Sequence, residues 1–188
     1  MKRITLSTLR LVPVIGDRRR GHILVGSTAF PCAIGRGGIS HAKREGDGAT
    51  PAGRHPVLRG WFRADRWKRP RTLVPLTRLH PADGWCDDPR DRRYNRLVTL
   101  PCTARHEDMW REDHLYDAVF DLGWNARPRV LGRGSAIFMH CAREKLAPTE
   151  GCIAFDKRLL PRMLARIGPG TRIIVGSRPV PRKHRAKP

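Results

Sequence analysis

The chain contains 188 residues, 39% of them hydrophobic and 29% charged, and its formal net charge is +21. This length favours one domain with a sizeable core, and no apolar run approaches the roughly 18–20 residues that a membrane span needs. The basic residues are spread along the chain without a recognisable nucleic-acid-binding motif, so we expect neither a membrane span nor a specific nucleic-acid partner.

The beginning of the chain is predicted to be extended. Arg10 and several Ser and Thr residues interrupt its apolar run, and no small-residue cleavage site follows, so no signal peptide is visible. Residues 4–14 and 21–35 are predicted as the two strands of a hairpin, joined by a turn around Gly16.

The rest of the chain favours short strands separated by long loops. Further strands are predicted over residues 56–62, 96–100, 115–123, 135–139 and 171–175. Residues 63–93, rich in Pro, Arg, Asp and Trp, are predicted as long surface loops, and residues 107–111 as a helical turn. One helix is predicted late in the chain, with Asp156 as its N-cap, an apolar stripe along one face, and Gly168 at its end.

This order of elements predicts a mainly β fold, either a sandwich or a partly closed barrel, with long loops and one late helix. We expect the domain to span residues 1–178 and the basic residues 179–188 to form a disordered tail. The cysteines number five, which allows one reactive thiol and up to two disulfides. The sequence leaves open any pairing among Cys32, Cys86, Cys102 and Cys141.

Chemistry is concentrated in residues 134–155. An apolar, strand-like run leads to His140, a turn-rich polar stretch follows, and Gly151 immediately precedes Cys152. A thiol nucleophile needs a base nearby, and a glycine beside it lets backbone N–H groups point at a developing oxyanion. A lone cysteine is more often a small buried hydrophobe, and a lone histidine is more often structural, so the pattern rather than the residue types favours catalysis.

That pattern resembles the catalytic signature of the L,D-transpeptidase (YkuD-like) family, in which a His precedes a Ser/Thr-x-Gly-Cys turn. The matching residues are His140, Thr149, Gly151 and Cys152. A second segment, GDGATPAG at residues 46–53, is similar to the Thr-Pro-x-Gly motif of the same family.

The chain also departs from the family pattern, as a divergent branch would. Glu150 stands where a His commonly precedes the Gly-Cys pair, Ala154 stands where Arg or Asn is frequent, and Cys141 replaces a Gly after His140. These changes bear on how substrate is bound more than on the identity of the nucleophile.

The resemblance implies a β-sandwich of mixed sheets with the cysteine and histidine at one end of a cleft. It implies that Cys152 is the nucleophile, that His140 is its base, oriented by a nearby backbone carbonyl, and that the N–H groups of Gly151 and Cys152 form the oxyanion hole. An imidazolium beside the thiol would lower the thiol pKa. No metal or cofactor is implied. The residues expected to contact substrate are Thr149, Glu150, Arg133, Arg143, Tyr116 and Trp124.

The implied activity is transfer of a peptidoglycan stem peptide, through a thioester, to an amine of a neighbouring stem, forming a 3-3 or 1-3 cross-link in cell-wall biosynthesis. Two alternatives stay open: water as the acceptor, giving an L,D-carboxypeptidase or hydrolase, and a non-enzymatic basic module that binds nucleic acid or wall polymer. The resemblance also implies action in the periplasm or cell wall, and we expect a monomer.

Overall fold

Short strands, most of them two to seven residues long, make up most of the regular structure over residues 5–176, the part of the chain that the computed structural model describes. The strands are β1 (Thr8–Val14), β2 (Asp17–Val25), β3 (Thr28–Ala33), β4 (Ile39–Ser40), β5 (Thr50–Pro51), β6 (Gly53–Pro56), β7 (Arg59–Phe62), β8 (Leu76–Arg78), β9 (Asp83–Cys86), β10 (Arg96–Thr99), β11 (His106–Asp108), β12 (Ala118–Asp121), β13 (Phe138–Cys141), β14 (Ile153–Phe155) and β15 (Arg172–Val175). A 3-10 turn spans Glu144–Leu146, and the helix α1 spans Leu160–Leu164.

The main sheet has ten strands in the order β6-β15-β1-β2-β3-β14-β13-β12-β7-β8, with both parallel and antiparallel pairs. A second sheet has the order β10-β9-β11, and β4 pairs with β5. The mainly β fold with mixed sheets and one late helix is therefore confirmed. None of the helices within residues 5–176 is long and apolar enough to cross a membrane.

The central strands β12 and β13 are buried along their whole length because apolar clusters cover both of their faces. Phe120 and Met139 point into the larger cluster, which β1, β2, β15 and α1 also build. Val119, Phe138 and Cys152 point into a second cluster with Trp85 of the small sheet. Successive strand residues alternate between faces, so this layering sets which side chains face the site.

Several predicted boundaries are wrong. The second predicted strand is two strands, β2 and β3, because a turn at Gly26, with φ +61°, divides it. The strand predicted over residues 56–62 is interrupted between β6 and β7, which pair with different neighbours. Residues 63–93, predicted as loops, contain β8 and β9. The helical turn predicted at residues 107–111 is not formed: strand β11 covers residues 106–108, and residues 109–111 are irregular.

The late helix is shorter than predicted. It spans Leu160–Leu164, its N-cap is Leu159, and no side chain caps it. Asp156 instead accepts the backbone N–H of Arg158 in a turn that precedes the helix. Pro161 lies in the first helical turn, where its missing N–H breaks no hydrogen bond, and this confines the start of the helix. The predicted tail, residues 179–188, lies outside the described residues.

Candidate active site

His140 lies in strand β13, beside Ala154 of the parallel strand β14. Its side chain is buried, and Nδ1 lies 2.7 Å from the carbonyl oxygen of Cys141. A carbonyl only accepts, so Nδ1 carries the proton and Nε2 keeps a free lone pair. Burial lowers the pKa of His140 to about 4, against an ordinary value of 6.5. The imidazole is therefore neutral at physiological pH.

Cys152 comes directly before β14 and is 8% exposed. Its Sγ accepts the backbone N–H of Phe138 at 3.3 Å and donates to the carbonyl oxygen of Ala136 at 3.2 Å. Burial, with a smaller effect from the charge of Glu107, raises the pKa of the thiol to about 12. Among residues 5–176, Sγ has no hydrogen bond to His140. The sequence predicted that an imidazolium would lower the thiol pKa. Burial instead raises the thiol pKa, because it disfavours both the thiolate and the imidazolium.

Gly151 gives the turn before Cys152 a backbone conformation that other residues avoid. Its φ is +134°, and a Cβ atom would lie 2.8 Å from the carbonyl oxygen of Ala49. The Gly151 N–H donates to Thr149 Oγ1 at 3.2 Å, and that hydroxyl donates to the carbonyl oxygen of Cys152 at 2.7 Å. One of the two predicted oxyanion donors is therefore already hydrogen-bonded within the turn.

The two sequence motifs meet in space through residues 34–36. Thr149 exchanges backbone hydrogen bonds with this segment, from its own N–H to Ile34 at 3.0 Å and from Arg36 to its carbonyl at 2.8 Å. On the other side, the N–H of Gly35 donates to the buried Oγ1 of Thr50 at 2.9 Å. A Cβ atom on Gly35 would lie 2.3 Å from the Gly48 carbonyl oxygen, so glycine is required there. The Thr50-Pro51 segment is therefore connected to the Gly-Cys turn through hydrogen bonds to residues 34–36.

Cys152 and His140 both line a cavity of about 380 Å³. The cavity wall has charges of both signs: the cationic residues are Lys43, Arg105, Arg111 and Arg143, and the anionic residues are Glu45, Asp87, Glu107 and Glu150. A thiol, a neutral imidazole and charges of both signs suit an acyl-transfer reaction on a substrate that carries both carboxylates and amines.

Residues 17–175 match the model of the L,D-transpeptidase catalytic domain, or YkuD, family. The chain belongs to this family. The match covers both motifs and every element from β2 to β15. Comparison with curated proteins gave no significant match. The chain is therefore an L,D-transpeptidase-type catalytic domain. The substrate of this enzyme family is peptidoglycan.

Four of the six residues predicted to contact substrate line the L,D-transpeptidase cavity: Thr149, Glu150, Arg143 and Tyr116. Tyr116 is almost fully buried, and its ring packs edge-on against His140 with centroids 5.2 Å apart. Glu150 is exposed and forms an ion pair with Arg36 at 2.8 Å. The guanidinium of Arg143 makes no hydrogen bond or ion pair with residues 5–176, so it is available to a substrate carboxylate.

The other two predicted residues, Arg133 and Trp124, lie outside the cavity lining. They contact each other: the indole Nε1–H donates to the Arg133 carbonyl at 3.0 Å, and the guanidinium lies 5.9 Å from the ring centroid. The side chain of Asn125 closes this loop by donating to the carbonyl oxygens of Val130 and Gly134. A role for Arg133 and Trp124 in substrate binding stays a prediction.

Asn95 is a residue that the sequence analysis missed. Its Oδ1 accepts the N–H of Ala136 at 3.1 Å and the indole N–H of Trp85 at 3.0 Å. Ala136 has a positive φ of 51°, and its carbonyl is the acceptor for the Cys152 thiol. Asn95 thus holds the backbone that positions the thiol. No sequence signal identifies it, since the contact joins residues 41 positions apart.

Lys43, Glu45 and Glu107 also line the cavity but were not predicted. Lys43 is buried and forms an ion pair with Asp47, and Glu45 accepts hydrogen bonds from Ser135 and Tyr94. Lys43 and Glu45 come just before the GDGATPAG motif in the sequence, and this position could have indicated that they lie near the site. The five cysteines are free thiols, so the disulfides left open by the sequence are not formed here.

Proposed function

We propose that the protein is a cysteine-dependent L,D-transpeptidase that acts on peptidoglycan stem peptides. The observation that carries this proposal is the hydrogen bond of 2.7 Å from His140 Nδ1–H to the Cys141 carbonyl. It leaves Nε2 as a base within the cavity that Cys152 also lines. Family membership supports the same reaction class.

In the first step the Cys152 thiol gives its proton to Nε2 of His140 while sulfur attacks the carbonyl carbon of a stem-peptide amide. That amide joins the L-centre of a diamino acid to a terminal D-alanine. The C–N bond then breaks, and the imidazolium returns the proton to the leaving nitrogen of D-alanine. The products are a thioester on Cys152, free D-alanine and neutral His140. A neutral starting pair suits this general-base route, since no separated charges need to be buried beforehand.

In the second step an amine of a neighbouring stem attacks the thioester. The amine nitrogen loses a proton to His140 as the C–S bond breaks, and that proton returns to the Cys152 thiolate. The new amide is the cross-link, 3-3 or 1-3 according to which position of the neighbouring stem supplies the amine. Water in place of the amine would give an L,D-carboxypeptidase with the same residues.

In both steps, backbone N–H groups stabilise the negative charge that develops on the carbonyl oxygen of the substrate. The N–H of Cys152 and that of Gly151 are the proposed oxyanion donors. For Gly151 this requires the Thr149 hydroxyl to give up its 3.2 Å hydrogen bond when substrate arrives. Arg143, whose guanidinium is open to the cavity, is proposed to bind a stem-peptide carboxylate. We further propose that the protein acts as a monomer in the periplasm or cell wall, where its net charge of +21 favours contact with anionic polymers.

The test is product analysis by mass spectrometry after incubation with a purified tetrapeptide stem. Wild type should release D-alanine and form cross-linked dimers, whereas Cys152→Ala should form neither and His140→Gln should be slower by at least about a hundredfold. The matched control is His22→Gln, which replaces a half-buried histidine of β2 outside the cavity lining and should retain wild-type rates. Release of D-alanine without dimers would instead identify the carboxypeptidase, and no release at all would contradict the proposal.

A further inference from the structure

Strand β11 brings the carboxylate of Glu107 to the wall of the cavity that Cys152 also lines. Glu107 pairs with Trp85 in the small sheet, and Trp85 packs edge-on against Phe138 with centroids 4.9 Å apart. The backbone N–H of Phe138 is in turn bonded to Cys152 Sγ. Packing between the aromatic side chains of Trp85 and Phe138 therefore fixes the position of strand β11 relative to Cys152.

One oxygen of Glu107 is occupied and the other is open. Oε1 accepts the Tyr116 hydroxyl at 2.7 Å and the Arg111 guanidinium at 3.4 Å, while Oε2 has no hydrogen bond within residues 5–176. The side chain is 29% exposed and lines the same cavity as Cys152. A cationic group in the cavity can therefore reach Oε2 without displacing either partner.

The positive charge of Arg111 is shared, so it does not neutralise Glu107 completely. Its Nε and Nη2 atoms bind both carboxylate oxygens of Asp113, at 3.0 Å and 2.5 Å, which are closer than Glu107. Burial raises the pKa of the Glu107 carboxyl, and its negative charge helps to raise the thiol pKa of Cys152. A carboxylate here thus opposes formation of the thiolate in the first step. If the Glu107 carboxylate assists the reaction, it must therefore act in the second step.

The incoming stem-peptide amine supplies such a step, because an aliphatic amine is an ammonium ion at neutral pH and cannot attack a thioester in that form. We propose that Glu107 binds this ammonium through Oε2 and so selects an amine over water as acceptor. This inference rests on the proposed function and deepens it. Glu107 takes one proton from the ammonium, and the free amine attacks the thioester. His140 takes the second proton as the C–S bond breaks and returns it to the Cys152 thiolate. The Glu107 proton is then released to solvent.

The discriminating experiment compares Glu107→Gln with wild type and with Glu144→Gln. Gln keeps the acceptor for the Tyr116 hydroxyl and removes only the charge. Glu144 is an exposed residue of the 3-10 turn outside the cavity lining, which makes it a matched control. Each protein is given the tetrapeptide stem, and the ratio of cross-linked dimer to hydrolysed tripeptide is measured by mass spectrometry. Acylation is followed separately as the initial burst of D-alanine.

For Glu107→Gln we expect the dimer-to-tripeptide ratio to fall by about tenfold or more, as loss of a charge-assisted hydrogen bond implies. The burst should be as fast as in wild type or faster, because a charge that opposes the thiolate is gone. The ratio does not depend on how much of the enzyme is folded, so a merely structural role for Glu107 would leave it unchanged. An unchanged ratio, or a burst that slows as much as dimer formation, would overturn the inference. Absence of any D-alanine release by wild type would overturn the proposed function itself.

Discussion

The Sγ atom of Cys152 lies 3.2 Å from the carbonyl oxygen of Ala136 and donates its proton there. The proposed nucleophile is thus held as a neutral thiol by the backbone, while the proposed base, the neutral His140, is held by a different carbonyl, that of Cys141. The thiol proton has to turn from Ala136 toward Nε2 of His140 before sulfur can attack. Substrate entering the cavity is the event that we expect to bring this about.

The pH dependence of Cys152 alkylation tests this neutral resting pair. Burial raises the thiol pKa to about 12 and lowers that of His140 to about 4, so the thiolate fraction should rise about tenfold for each pH unit between pH 6 and 9. The measurement is the iodoacetamide rate at Cys152, located by peptide mass spectrometry. Alkylation of the half-buried Cys102 in the same sample serves as an internal control. A rate that is already high and flat between pH 6 and 8 would indicate a preformed thiolate–imidazolium pair instead.

Replacing Gly151 by alanine should disrupt the turn that positions Cys152. The new Cβ would lie 2.8 Å from the Ala49 carbonyl oxygen, and the φ of +134° is strained for alanine. We expect loss of activity and destabilisation of about 2 kcal/mol or more, measured by denaturant unfolding. Gly26→Ala is the matched control, since its φ is also positive but nothing lies within 4 Å of the added Cβ. Equal effects of the two substitutions would contradict the close contact with Ala49.

Thr50→Val tests the support of the Gly-Cys turn by the Thr-Pro segment. Valine has nearly the same shape as threonine but cannot accept the N–H of Gly35, which would be left buried without a partner. We expect the free energy of unfolding to fall by roughly 1–3 kcal/mol. The same substitution at the exposed Thr28 of β3 should change stability by less than about 0.5 kcal/mol. If Thr50→Val were as harmless as the control, the hydrogen bond would not support the site.

Burial of His140 should make stability depend on pH. Its pKa falls from 6.5 in the unfolded chain to about 4 in the folded protein, so the unfolded state binds the proton more readily. The free energy of unfolding should therefore decrease as pH falls from 7 to 4, with His140 contributing about 3 kcal/mol of that decrease. The measurement is the pH profile for wild type minus that for His140→Gln, in which the other titrating groups cancel. Parallel profiles would mean that the imidazole is not buried as a neutral group.

The proposed catalytic pair could be identified from the sequence because its pattern is local. His140 follows an apolar strand, and Cys152 is part of a Thr-x-Gly-Cys turn, so both are visible within a short segment of sequence. Their protonation states could not be predicted in the same way. Those states depend on burial by the small sheet and by Phe138, which come from distant parts of the chain.

Glu107 was missed as a cavity residue for a related reason. Strand β11 has only three residues, and the alternation of such a short polar segment does not distinguish a strand from a helical turn. Its pairing with β9 brings Glu107 to the cavity, and pairing of this kind is a property of the folded sheet. In the same way, the contact between Asn95 and Ala136 joins two loops that no motif connects.

The most direct test of the central claim, that Cys152 is an acylatable nucleophile, is the intact mass of the protein after mixing with a carbapenem. This class of β-lactam contains a strained amide that a catalytic cysteine of this family is expected to open. Wild type and Cys102→Ala should each gain the mass of one carbapenem, and Cys152→Ala should gain none. Absence of an adduct on wild type, or an adduct that persists in Cys152→Ala, would contradict the account.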